Sequence, residues 1–342
     1  MTLKFKLLSG IMVIAMTTFL FACSSTEVIE PQKDLANKGE TITLNISCPD
    51  AEASTRADLH DGHVLRYSAI LYTGTSIGES TFKERQEIIE STNKENNKII
   101  FHVEENTYTI FVIADYIPAN STPDNYNLYN DYYYNTSSKD GRIYMRSVID
   151  FSTNSPVNLN CVNNENYDCF AKVITVEKTP AQYETSVELN RIVSRISFVN
   201  STVTNDEIKD ISFNKLDFFY VNNLVGTPSV GTLHALSNNR TISVTGITPQ
   251  SQNSDEELLF FYTLADGTNS NELYKMELTV NYDGASYTTT IPEKMIKPQA
   301  NYKIKVKGPF LAEPEPLLGD IILHLSTTER EQWNTKDDVV IP

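Results

Sequence analysis

The side chains most suited to chemistry sit in two short segments. Gly74-Thr75-Ser76-Ile77-Gly78 spells G-x-S-x-G, the pattern of a nucleophile elbow, in which a strand turns sharply into a buried helix and lifts a serine hydroxyl into reach of a histidine. A strand-like run precedes it, but residues 79–91 are too polar and irregular for that helix, and no strand and helix alternation follows. A glycine-bounded hairpin loop accounts for the same residues. Asp58, His60, Asp61 and His63 in ADLHDGH offer two imidazoles and two carboxylates, donors that a divalent metal accepts, in a spacing that matches no recognised site. A solvated loop is the plainer reading. His102, His234 and His324 are scattered, and the chain has no Walker A loop, dinucleotide fingerprint or zinc-type C-x-x-C. No catalytic residue, metal or cofactor is expected.

Two further residues carry chemistry done to the chain rather than by it. Cys23 closes Leu20-Phe21-Ala22-Cys23, after basic Lys4 and Lys6 and an apolar run over residues 7–21. That run is short of the ~20 residues that span a bilayer, so it reads as a bacterial lipoprotein signal whose cysteine is lipidated before cleavage. Residues 1–22 are then the signal peptide, and 23–39, polar and carrying Pro31 and Gly39, a flexible tether. Ser24 and Ser25 stand where a retention aspartate would, which points to the outer membrane, with surface exposure expected. Arg56, in Ala53-Ser54-Thr55-Arg56-Ala57-Asp58, lies in a small, polar stretch of the kind an accessible protease site has; an ordinary exposed arginine is the alternative. Cutting there would sever residues 41–47 and the lipid from the body, leaving a groove of unpaired backbone groups that a neighbouring chain's extended segment could fill.

The elements that must position these residues are strands. Thr41-Ile42-Thr43-Leu44-Asn45-Ile46 alternates apolar and polar residues with a period of two, as a half-buried strand does. Similar runs follow at 64–72, 98–103, 108–114, 170–176, 192–199, 211–221, 241–244, 258–264, 274–282, 287–291, 302–306 and 321–325. Many short runs between Asn, Asp, Gly and Pro turns predict an all-β fold of sandwiches. Helical periodicity is weak, and its best candidate, residues 82–91, reads equally as a long loop. A fresh alternating series begins at VELNRIVSRISFVN, which divides the chain into an N-terminal sandwich, 40–186, and a C-terminal one, 187–342, with its C-terminal strand region. A formal net charge of −16 repels phosphate backbones, so nucleic acid is not an expected partner, and attachment to a membrane falls to the lipid on Cys23.

Residues 116–135, YIPANSTPDNYNLYNDYYYN, hold six of the chain's 18 tyrosines among Asn, Asp, Ser and Pro. Tyr126, Tyr129, Tyr132, Tyr133 and Tyr134 are candidates for a contact surface toward glycan or host protein, since each offers an apolar ring and a hydroxyl at low entropic cost; alternatively the rings lie back and close the end of the sandwich. Past Cys23 only Cys48, Cys161 and Cys169 remain, an odd number. Cys161 and Cys169 are near enough to close a small disulfide loop, with two buried thiols as the alternative.

The opening, a lipobox cysteine, a β-run, a Thr-Arg step and then HVLRYSAILYTG, resembles that of the fimbrillin-like lipoproteins of the Bacteroidia. YTIFVIADYIP, YYNTSSKDGR, VELNRIVSRISFVN and NYKIKVKG are similar as well, in the same order. The resemblance implies two tandem transthyretin-like β-sandwich domains and no enzymatic activity. It also implies a pilus subunit or adhesin trimmed after Arg56, leaving Ala57 first, with other pilus subunits as partners through strand exchange. Residues 321–342 then become the C-terminal strand region, in which Ile321, Leu323 and Leu325 alternate as a donated strand would. Trp333 either plugs a groove or caps its own domain.

Overall fold

The alternating runs up to residue 306 become strands wherever the computed structural model describes them, and the run 321–325 lies outside the described residues, which are 40–49, 60, 62–137, 139–146, 149–150, 155–156, 161–200, 208–214, 219–222, 232–235, 243–251, 256–265, 276–282, 285–291, 296, 298–308, 310 and 326–332. The strands begin with β1 (Thr41–Ser47), β2 (His63–Thr73), β3 (Phe82–Ile89), β4 (Lys98–His102), β5 (Asn106–Pro118), β6 (Tyr134–Asn135), β7 (Ile143–Met145), β8 (Ile149–Asp150) and β9 (Ser155–Pro156). They continue with β10 (Cys169–Lys178), β11 (Tyr183–Glu188), β12 (Asn190–Arg191), β13 (Val193–Asn200), β14 (Ile208–Asn214), β15 (Phe219–Asn222) and β16 (Thr232–Ala235). The last are β17 (Ser243–Ile247), β18 (Glu257–Leu264), β19 (Met276–Tyr282), β20 (Ala285–Ile291), β21 (Tyr302–Gly308) and β22 (Ser326–Gln332). Among the described residues there is no α-helix, only short 3-10 turns, and the fold is all-β.

The first half pairs a three-stranded sheet, β11-β1-β4, with a five-stranded one, β12-β10-β5-β2-β3. β1 is the middle strand of the smaller sheet, parallel to β11 and antiparallel to β4. Its Ile42, Leu44 and Ile46 meet Leu65, Tyr67, Ala69 and Leu71 of β2 and Ile110, Val112 and Ala114 of β5 in one apolar core. Those are alternate residues, the face that a period of two assigns to one side of a sheet. Yet β2 is buried from Leu65 to Tyr72 without a break. Its other face, Arg66, Ser68, Ile70 and Tyr72, is therefore covered as well, and the tyrosine-rich segment does the covering. Strands buried on both faces lose the alternation that exposure would impose.

Residues 82–91, the best helical candidate, are instead strand β3 with a short extension, paired antiparallel with β2 from Arg66↔Ile89 to Tyr72↔Phe82. Its Lys83, Glu84 and Gln86 fit because it is the outer strand of its sheet, where charged and polar side chains blunt an edge. In the second half, β18-β13-β21-β22 and β17-β14-β19-β20 enclose Ile196, Phe198, Phe261, Ile304 and Val306 against Ile247, Leu278, Val280 and Ile291. A further sheet, β16-β15-β7-β6, joins the halves by setting Tyr220 opposite Tyr144 and Val221 opposite Ile143. Val162 also bridges to Phe261, and residues 39–342 form one compact unit. β11 and β12 both belong to the first half's sheets, with Val187 opposite Ile46.

Candidate functional site

The covered face of the larger first-half sheet is where charge collects. Arg66 on β2 stands directly across from Asp115 on β5, and its Nε and Nη2 donate to the two oxygens of that carboxylate at 2.9 and 2.8 Å. Nη1 donates to the Tyr129 carbonyl at 3.1 Å, and Nη2 also donates to Asp131 at 3.0 Å. Both the Arg66 and Asp115 side chains are wholly buried. Burial alone would hold the Arg66 guanidinium below its ordinary value, and Asp115, Glu87 and Asp131 reverse that and raise it. Complete burial pushes the Asp115 carboxyl up to about 6 against the pull of Arg66. On β3, Glu87 accepts from Ser68 Oγ at 2.7 Å and from the Tyr129 N–H at 2.6 Å, and it pairs with Arg85.

This network pins the tyrosine-rich segment. Asp131 accepts from the N–H groups of Thr136 and Ser137 at 2.7 and 2.9 Å. Burial would push its carboxyl up, but Arg66, Arg85 and the two Thr136 hydrogen bonds together hold it below the usual range. Asp124 closes the tip by accepting from the N–H groups of Tyr126 and Leu128, with Asn127 in the left-handed region at φ 60°. Tyr133 and Tyr134, expected among the contact residues, are buried against Tyr167 instead; the Tyr133 hydroxyl meets His63 Nε2 at 2.8 Å and the Tyr134 hydroxyl donates to the Tyr167 carbonyl. Of the other three, Tyr126 is 82% exposed, Tyr132 36% exposed and Tyr129 half-buried. Part of the segment thus lies back over the sheet, while Tyr126 stands out from it.

Between β3 and this segment opens a cleft of about 500 Å³, lined by Arg85, Lys139, Arg146, Asp124 and Asp131 with Ile70, Phe82, Leu128, Tyr129, Asn130, Asn135 and Ser137. The Arg85 side chain is 7% exposed, and its Nη1 is buried without a hydrogen-bond partner. Lys139 Nζ stands 5.0 Å from the centre of the Phe82 ring. Gly141, just beyond, has φ +74°, and a Cβ there would lie 2.3 Å from Ile77 Cγ2, so only glycine fits this turn.

The remaining candidates fall elsewhere. Ser76 sits exposed in the turn between β2 and β3, which is followed by a strand, so it is not on an elbow. His60 is buried rather than solvated, stacked on Tyr116 at 3.6 Å with Nδ1 2.9 Å from Asn166 Oδ1; Asp58 and Asp61 lie outside the described residues. Cys161 and Cys169 are buried thiols, not a disulfide: Cys169 opens β10 opposite Asp115, whereas Cys161 precedes the bridge from Val162 to Phe261. Cys23, Arg56, Ala57, Ile321, Leu323, Leu325 and Trp333 lie outside the described residues. The buried ion network was missed by sequence reading, although a signal exists: Arg66 and Asp115 each interrupt a long apolar run, and a charge within such a run has to be paired.

A search of curated proteins finds no match. A model of a family of unknown function, DUF6562, matches residues 33–327. The chain belongs to this family. Among solved structures, the DUF6562 chain is similar to a putative adhesin from Bacteroides thetaiotaomicron (11% identity, 78% of this chain and 91% of that one, TM-score 0.39). It is also similar to a fimbrial assembly protein from Parabacteroides distasonis (11%, 79% and 90%, 0.37). A third is a C-terminally truncated tip fimbrial protein, Mfa3, from Porphyromonas gingivalis (11%, 81% and 96%, 0.38).

Proposed function

We propose that this chain is a cell-surface fimbrillin-like lipoprotein, a structural or accessory pilus subunit in adhesion rather than an enzyme. In this reading it is anchored in the outer membrane through a lipid on Cys23 and assembled by β-strand exchange after cleavage at Arg56. The observation that carries the reading is the place of β1. It is the middle strand of its sheet, bonded on both sides, with Ile42, Leu44 and Ile46 fully in the core. It is also the strand that precedes Arg56 in the sequence. A cut at Arg56 would release it together with the lipid. β11 and β4 would be left facing an apolar trough with two rows of unpaired backbone groups. An extended segment with apolar residues at every second position fills such a trough, and Ile321, Leu323 and Leu325 repeat the spacing of Ile42, Leu44 and Ile46.

The test is limited digestion of the full-length protein with an arginine-specific protease, read by intact mass, N-terminal sequence and gel migration. A single cut leaving Ala57 first, followed by ladders that persist in detergent, is the expected result. Resistance of Arg56, or a trimmed chain that stays monomeric, overturns assembly by strand exchange. A second reading, capture of glycan or host protein at the tyrosine-rich segment, is favoured by the exposure of Tyr126 at the tip beside an open cleft.

A further inference from the structure

We propose that the cleft between β3 and the tyrosine-rich segment binds a sugar unit carrying a single carboxylate, a uronic acid, with Arg85 and Lys139 meeting the carboxylate and Asn130 and Ser137 the ring hydroxyls. The proposal rests on the capture reading and names its ligand class. Three observations lead to it. First, the cavity of about 500 Å³ is of ligand size, and its walls mix amides and a hydroxyl with Ile70, Phe82 and Leu128, the lining a polar ring with apolar faces requires. Second, Arg85 Nη1 is buried with no partner, on a side chain that lines the cleft. An N–H of a guanidinium in that position lacks an acceptor, and a carboxylate gives it a charge-assisted one.

Third, the charges select a monoanion. Arg85, Lys139 and Arg146 line the cleft with only Asp124 and Asp131 opposing them. Both carboxylates are already committed, Asp131 to Arg66 and the Thr136 and Ser137 N–H groups, and Asp124 to its own turn. Beneath the lining, Arg66 faces Asp115 and Glu87, and Glu87 also pairs with Arg85, so the wider cluster is neutral and the excess of one positive charge belongs to the lining alone. One added negative charge sits against the lining's single excess cation; a phosphate dianion would exceed it and meet two nearby carboxylates and a chain of net charge −16.

The test is titration of the full-length protein, in detergent, with glucuronate, its uncharged methyl ester and glucose, followed by calorimetry and by ligand-observed NMR. Saturable binding of glucuronate alone is expected. Arg85→Gln should abolish it, and because Arg85 also pairs with buried Glu87, Lys139→Ala on the exposed rim is the decisive variant: it should weaken glucuronate roughly fivefold, the size of a partly exposed ion pair, with melting temperature unchanged. Equal binding of the ester or of glucose overturns the carboxylate assignment and leaves glycan capture standing. An unchanged affinity in Lys139→Ala also overturns it. No saturable binding of any of the three sugars overturns the site, and loss of attachment to host glycoprotein in Tyr126→Ala then decides the capture reading separately.

Discussion

At the scale of single residues, the molecule concentrates its cost and its specificity in Arg66 and Asp131. Burying charge is expensive, and a buried pair breaks even only with good geometry and every donor used. Arg66 meets that condition, with its three nitrogens shared among Asp115, Asp131, Tyr129 and Thr136. What the cost secures is position, because every loop contact of Arg66 reaches the segment that roofs the cleft. Asp131 makes this testable by pH. Its carboxyl is held below the usual range in the folded state, so its stabilisation is complete above the unfolded value and is lost as pH falls through the lower folded one. Asp131→Asn should therefore destabilise the protein by about 2 kcal/mol at neutral pH, with the gap to the native protein closing below about pH 4. Urea unfolding at several pH values measures it, and a gap independent of pH would contradict the role given to the charge.

At the scale of elements, β1 and β3 show what a strand's neighbours decide. β1 is short, but it holds its sheet together, since β11 and β4 meet only through it. Leu44, wholly buried in its middle, opposes Ile99 and Thr185 in register. Leu44→Ala should cost about 2–5 kcal/mol, the range for truncating a buried leucine, as read from the denaturation midpoint. A cost below about 0.5 kcal/mol, that of an ordinary surface change, would mean that β1 is not part of the folded core. β3 makes the opposite case. FKERQEII lacks both the alternation of a strand and the apolar stripe of a helix, because Arg85 and Glu87 point into a charged interior that local pattern does not anticipate.

At the scale of the whole molecule, the halves share one core. Tyr133, Tyr134 and Tyr167 from the first half belong to the same buried cluster as Phe198, Phe261 and Leu278 from the second, and one small sheet draws strands from both. Heating should therefore unfold residues 40–342 in a single calorimetric transition, and two resolved transitions would show that the halves fold independently. The sequence alone determined the all-β class and most of the individual strands, Thr41–Ser47 among them, because a period of two is local chemistry: each residue's polarity reports which side of the sheet it faces. It also placed six tyrosines on one polar segment without saying which would face water. Only the tertiary structure decided that Tyr133 and Tyr134 turn inward while Tyr126 stays out, that β1 lies between β11 and β4, and that Arg66 finds Asp115, Glu87 and Asp131. The reason is physical. These outcomes depend on which distant segment covers the second face of a sheet, and that covering is fixed by side-chain fit and charge pairing between residues far apart in the chain, which no local period records.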